Sequence, residues 1–140
     1  MVKLLIGHKG SGKTKKMIEL ANEKAQTAKG SVVFINKNAR LIYDLDYKIR
    51  VVCMEDFPHI TNEDEYIGFI FGIMSQDNDI EAMFLDGIMR HRDFALEILP
   101  SFIEKIKTVS KETGVEFIIS ISAELEEMIG VEFDDVEVLN

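Results

Sequence analysis

The segment that most constrains this chain is its first fourteen residues: an apolar run, Lys3-Leu4-Leu5-Ile6, then Gly7-His8-Lys9-Gly10-Ser11-Gly12-Lys13-Thr14. The pattern is G-x-x-x-x-G-K-[ST], placed where a strand feeds a helix through a glycine turn, the context in which such a segment cradles phosphate. Its glycines open backbone angles closed to other residues, so consecutive N–H groups can curl round an anion. The first turn of the following helix adds a positive dipole. Lys13 has the reach for β- and γ-phosphates, and the Thr14 hydroxyl suits the shell of a Mg²⁺ ion. The plain alternative is a chance glycine turn before a helix, and the flanks argue against it. Residues Gly7 to Thr14 are therefore predicted to bind a nucleoside triphosphate. The motif does not say what is done with it.

The 140 residues suit a single domain, 1–140, that buries a core without disulfides or metal staples. A lone cysteine excludes an internal disulfide and fits a reducing cytoplasm, the expected location. Cys53 lies in the apolar run Val51-Val52-Cys53-Met54, the setting of a structural thiol. The chain enters its first strand directly, so no signal peptide is expected. Its longest apolar stretch, Tyr66 to Met74, is far short of the roughly 20 residues of a membrane span.

Net charge is −9 but unevenly placed: residues 1–40 hold nine Lys and Arg against two acids, so the rest carries −16. Positive potential gathers round the glycine loop, where an anion would use it. The remainder would repel nucleic acid, and no direct nucleic-acid binding is expected. The seven acids between Glu124 and Glu137 read as a solvated face, with a docking surface for a basic partner as the alternative.

Hydrophobic spacing predicts strands at 3–6, 31–35, 49–54, 82–86, 116–120 and 136–139. Helices are predicted at 13–28, 39–45, from Thr61-Asn62-Glu63-Asp64 (a capping box) through 74, at 93–99, 102–113 and 123–129. The 66–74 segment is apolar nearly all round and is expected to be deeply buried, its two glycines allowing close packing. Pro100 should divide the 93–99 and 102–113 helices, with Ser101 and Glu104 as a second capping box. Ser122 should cap the last helix. Strands alternating with helices predict an α/β fold: a mostly parallel central sheet of five to six strands with helices on both faces, three layers in all.

A second motif is Met83-Phe84-Leu85-Asp86, an apolar strand delivering one carboxylate to the sheet edge where the glycine loop lies. Asp86 is expected to hold Mg²⁺ together with Thr14; the alternative is a turn cap. With both motifs in hand, Walker A over 7–14 and Walker B at 83–86, the chain resembles the P-loop NTPase superfamily over essentially its whole length. Its element order is most similar to the RecA-like branch. It also resembles small stand-alone bacterial ATP-binding proteins sometimes labelled twitching-motility ATPases, although motility ATPases carry an extra N-terminal domain and further boxes for which this chain has no room.

The resemblance implies that the polar end of the strand after Walker B senses the γ-phosphate. Ser120 is the candidate there, because Ser122 is expected to be occupied as a cap. It also implies a glutamate polarising the attacking water, and this chain lacks one at both usual places. Gly87 follows the Walker B aspartate, and Asn36-Lys37-Asn38 follows the second strand. Glu55 and Asp56 are substitutes in principle, with an exposed turn as the simpler reading. Arg90, in Arg90-His91-Arg92, could act as an arginine finger; a basic start to a surface helix is the alternative. Lys9 is a candidate for extra phosphate contact. His8, His59 and His91 lack metal-ligand spacing, so no zinc site is expected.

These features predict a Mg²⁺-dependent ATP-binding protein with weak or partner-activated ATPase activity, Lys13 being the foremost catalytic candidate. ATP and Mg²⁺ are the expected cofactors, ATP as the superfamily default because Asn36-Lys37-Asn38-Ala39 lacks the final Asp of a guanine motif. The alternatives are a non-catalytic nucleotide-dependent switch or assembly subunit, working with a protein partner or as a homo-oligomer, and a small-molecule kinase.

Overall fold

The computed structural model describes residues 1–38, 40, 42–88, 96–128, 130–131 and 134–139. Six strands form one sheet: β1 (Val2–Gly7), β2 (Ser31–Asn36), β3 (Arg50–Cys53), β4 (Ile80–Leu85), β5 (Glu116–Ser122) and β6 (Asp135–Leu139). Their order is β3-β2-β4-β5-β1-β6, and every neighbouring pair is parallel. Among the described residues, three α-helices run between them: α1 (Lys13–Thr27), α2 (Glu63–Ser75) and α3 (Leu99–Thr113).

A parallel sheet must be covered on both faces, and the near-continuous apolar runs of β1, β2, β4 and β5 meet that need. Successive side chains alternate between faces. Leu5, Phe34, Phe84 and Ile118 pack with Met17, Ile18, Ala21 and Ala25 of α1. Leu4, Ile6, Val33, Ile35, Leu85 and Ile119 pack with α2 and α3. Right-handed crossovers explain this division. The chain runs one way along the sheet from β1 to β2 over α1, and the other way from β3 to β4 to β5 over α2 and α3. The direction therefore selects the face, and the three-layer α/β expectation holds.

Several local expectations are corrected. Asn62, not Thr61, caps α2: its side chain accepts from the Glu65 N–H at 2.9 Å, and the Glu65 carboxylate reaches back to the Thr61 N–H at 2.9 Å. Bonds from the Thr61 N–H and then from the Thr61 hydroxyl, at 2.9 and 3.0 Å, hold the Glu65 carboxylate below its usual range. Nor is α2 buried all round. Tyr66, Ile67, Ile70 and Ile73 face the core, while Gly68, Phe71, Gly72 and Ser75 are exposed, and a Cβ on either glycine would meet no atom within 4 Å. The helix lies on the molecule's outer layer, where only one stripe can reach the sheet.

Pro100 does not divide two helices; it sits in the first turn of α3, where its missing N–H costs nothing. Ser101 is therefore inside the helix rather than at its cap. A 3₁₀ turn at Leu96–Ile98 precedes it, and residues 93–95 of the predicted helix lie outside the described residues. Over 123–128, the described part of the helix expected at 123–129, there is only a 3₁₀ turn at Leu125–Glu127, capped reciprocally by Glu124 and Glu127. Ser122 belongs to β5 and caps nothing. The 39–45 helix shrinks to a turn at Ile42–Asp44, with Ala39 and Leu41 outside the described residues.

Candidate functional site

All six strands run the same way, so their C-terminal ends share one edge, and the segments leaving β1, β5, β4 and β2 meet there. In an open α/β sheet this edge, where connections depart to opposite faces, is where ligands bind. A cavity of about 460 Å³ opens at it. Every described residue lining it is a glycine or a polar or charged side chain, contributed by the glycine loop and α1, the ends of β5 and β4, and the segment after β2.

From the glycine loop, Gly10, Gly12, Lys13 and Thr14 line the cavity, whereas Gly7, His8, Lys9 and Ser11 do not. Gly10 and Gly12 take φ of 85° and 93°, left-handed angles that the other residues of the loop could not hold without strain. Ser11 N–H bonds the His8 carbonyl at 3.0 Å, closing the turn. Its Oγ is buried without a hydrogen-bond partner among the described residues, close against Gly7. Lys13 is 7% exposed, and its ammonium donates to the carbonyls of Gly7 at 2.9 Å and His8 at 2.6 Å. His8 points out of the cavity, and its Nε2 stands 2.8 Å from the Glu124 carboxylate. Lys9 is exposed outside the cavity.

The opposite half is built on the sheet register. Leu85 pairs with Ile119 and Ile35 with Leu85, so the residues just past them, Asp86, Ser120 and Asn36, stand side by side. Asp86, 6% exposed, accepts from Thr14 Oγ1 at 2.9 Å through one carboxylate oxygen and from Ser120 Oγ through the other. Ser120 Oγ in turn accepts from the Gly87 N–H at 3.3 Å. The insertion of β5 between β1 and β4 makes this possible, by putting the polar end of one strand between the glycine loop and the carboxylate. Beneath lies Tyr66, 1% exposed, whose phenol is pushed far above its usual value by burial and then by the Asp86 carboxylate.

The structure thus gathers Gly10, Gly12, Lys13, Thr14, Asp86 and Ser120 round one cavity. Arg90 lies outside the described residues, with His91 and Arg92. Among the described lining residues Asp86 is the sole carboxylate; Glu55 and Asp56 are not part of the wall. Ser122 also lines the cavity, which sequence reasoning missed by giving it a capping role. Lys37, Asn38 and Arg40 line it as well; the resemblance pointed to Asn36-Lys37-Asn38 only as a place lacking a glutamate, and nothing local marks these side chains as part of the site. A hydroxyl and a carboxylate 2.9 Å apart are hard oxygen donors that fit Mg²⁺, with remaining positions filled by water and phosphate oxygens. No cluster of three or more His, Cys, Asp or Glu among the described residues would cage a metal without them.

No family model matches the sequence, and neither does any curated protein. Among solved structures, the chain is similar to a KaiC-like protein from the hyperthermophilic archaeon Pyrococcus horikoshii. The TM-score is 0.62 and the identity 20%, over 87% of this chain and 61% of that one. The fold is RecA-like. At this identity the likeness carries the α/β fold alone and not the twitching-motility label. The chain spans about three-fifths of that neighbour's length. Among the described residues no helix is long and apolar enough to cross a membrane.

Proposed function

We propose that residues 1–140 form one P-loop nucleotide-binding domain that takes Mg²⁺-ATP and hydrolyses it slowly or only with a partner's help. The observation that carries this reading is the bridge Thr14–Asp86–Ser120, which joins the glycine loop to the ends of two other strands beside a buried lysine. In this reading the N–H groups of Gly10 to Thr14 hold the phosphates. Lys13 exchanges its two carbonyl partners for β- and γ-phosphate oxygens. Thr14 and Asp86 hold the metal, which neutralises phosphate charge when bound, and Ser120 orients the Asp86 carboxylate. No large apolar or aromatic side chain is among the described lining residues to stack on a base, so the cavity suits the triphosphate rather than the base, and discrimination between ATP and GTP should be weak.

The scarcity of carboxylates among the described lining residues supports slow turnover. Without a positioned base, one water-orienting contribution worth typically 10²–10⁴-fold is missing. The same observation favours a second reading, a nucleotide-dependent switch that does not turn over. A thermal-shift panel of ATP, ADP, GTP and a non-hydrolysable analogue, with and without Mg²⁺, tests the binding. At 100 dissociation constants a ligand should add about 2.7 kcal/mol of stability, and no shift with any nucleotide would overturn the reading. Turnover abolished by Asp86→Ala separates the ATPase from the switch.

A further inference from the structure

Opposite the glycine loop, the cavity is closed by the segment leaving β2, and its chemistry is the reverse of the expected carboxylate. Lys37 and Arg40 both line the cavity and both are exposed at its mouth. Neither side chain has an ion-pair partner among the described residues, although the chain carries 25 acids against 16 Lys and Arg. In so acidic a molecule, two cations left without a carboxylate at one cavity wall suit an anion from outside.

Their backbone is held in place. The Asn36 side chain accepts from the Lys37 N–H at 2.7 Å, and the Lys37 carbonyl accepts from the Glu55 N–H at 3.0 Å. The Asn38 side chain accepts from the Arg40 N–H at 3.0 Å. The Asp86 N–H bonds the Ile35 carbonyl at 2.9 Å, which ties this segment to the carboxylate. Gly87 completes the wall: a Cβ there would lie 3.8 Å from the Lys37 Cβ. Both places where a water-polarising glutamate is missing thus converge on one lysine.

Taking the cavity as a polyphosphate site, as proposed above, we propose that Lys37 and Arg40 bind the terminal phosphate and make the site select triphosphates over diphosphates. The sheet sets the direction. The segment after β2 is three strand spacings of about 4.8 Å from β1, roughly 14 Å, and only one from β4. A phosphate chain anchored at the glycine loop and passing Asp86 therefore presents its last phosphate to this wall. The two phosphates nearer the loop stay with the N–H groups of Gly10 to Thr14, and Lys13 spans from the second of them to the last. Lys37 and Arg40 act as specificity-determining residues, reading the γ-phosphate by charge.

The test is calorimetric titration of ATP, ADP and tripolyphosphate, each with Mg²⁺, into the wild type and into a Lys37→Ala/Arg40→Ala double variant. Both side chains are exposed, so the variant should fold, and its melting temperature without ligand checks this. A Lys37→Gln variant serves should the double one not fold. ATP and tripolyphosphate should bind about ten- to a hundredfold more weakly to the double variant, while ADP changes by less than about threefold. A Lys37→Arg/Arg40→Lys swap should retain the preference for triphosphate. Equal losses for ATP and ADP, or no loss for either, would overturn the proposal and leave the phosphate site standing. A wild type that binds none of the three would instead overturn the phosphate site itself, and this proposal with it.

Discussion

The two walls of the cavity are built differently. The glycine-loop wall is locked from within: Lys13 is buried against two carbonyls, and the helix it opens packs Met17, Ile18 and Ala21 onto the sheet. The facing wall is a short polar segment after β2, held by side-chain-to-backbone bonds and presenting Lys37 and Arg40 to solvent. The first is suited to holding a ligand in one pose. The second offers charge without a base. On the proposed reading, one rigid wall and one charged wall favour recognition of a triphosphate over its cleavage.

The largest way to break this comparison is to remove what both walls stand on. Phe84, in the strand that leads into Asp86, is 1% exposed and stacks on Phe34 at 6.1 Å between centroids. Phe84→Ala should cost about 3–5 kcal/mol in urea unfolding and weaken every ligand together. A loss below about 1 kcal/mol would mean that the core under the site is not packed as described. Next in size is Lys13→Ala, which strips one charged contact from the rigid wall. Calorimetry should then register a loss of about 1.5–3 kcal/mol in ATP binding, and unchanged affinity would show that the ligand does not lie against this wall.

The smallest effect sharpens the comparison from the other side. Gly87 holds φ of 75°, so Gly87→Glu should destabilise by roughly 1–2 kcal/mol through backbone strain alone. The new carboxylate would stand beside Lys37 and pair with it instead of polarising a water. Steady-state turnover of ATP should rise by less than tenfold over wild type, because a base counts only where it is positioned. A larger rise would show that the facing wall lacks nothing but the acid.

How much was legible follows from how local each feature is. The strand, glycine loop and helix from Val2 to Thr27 are contiguous, so spacing and glycine placement sufficed. The cap of α2 was misplaced by one residue, from Thr61 to Asn62, because two adjacent polar residues offered the same chemistry. The exposed face of α2 was misjudged, since nothing in an apolar run tells which stripe meets the sheet. Ser122 was given to a helix that is only a 3₁₀ turn, where Glu124 and Glu127 cap each other instead.

By itself, the sequence determined the glycine turn between β1 and α1, over Gly7 to Thr14, and the carboxylate of Asp86 just past an apolar strand. Each is written in a few consecutive residues whose backbone preferences act locally. Only the tertiary structure decided that β5 lies between β1 and β4, which sets Ser120 on Asp86, and that the segment after β2 returns over the cavity with Lys37 and Arg40. Strand order depends on long-range packing and crossover handedness. These join residues far apart in the chain, and no local preference encodes them.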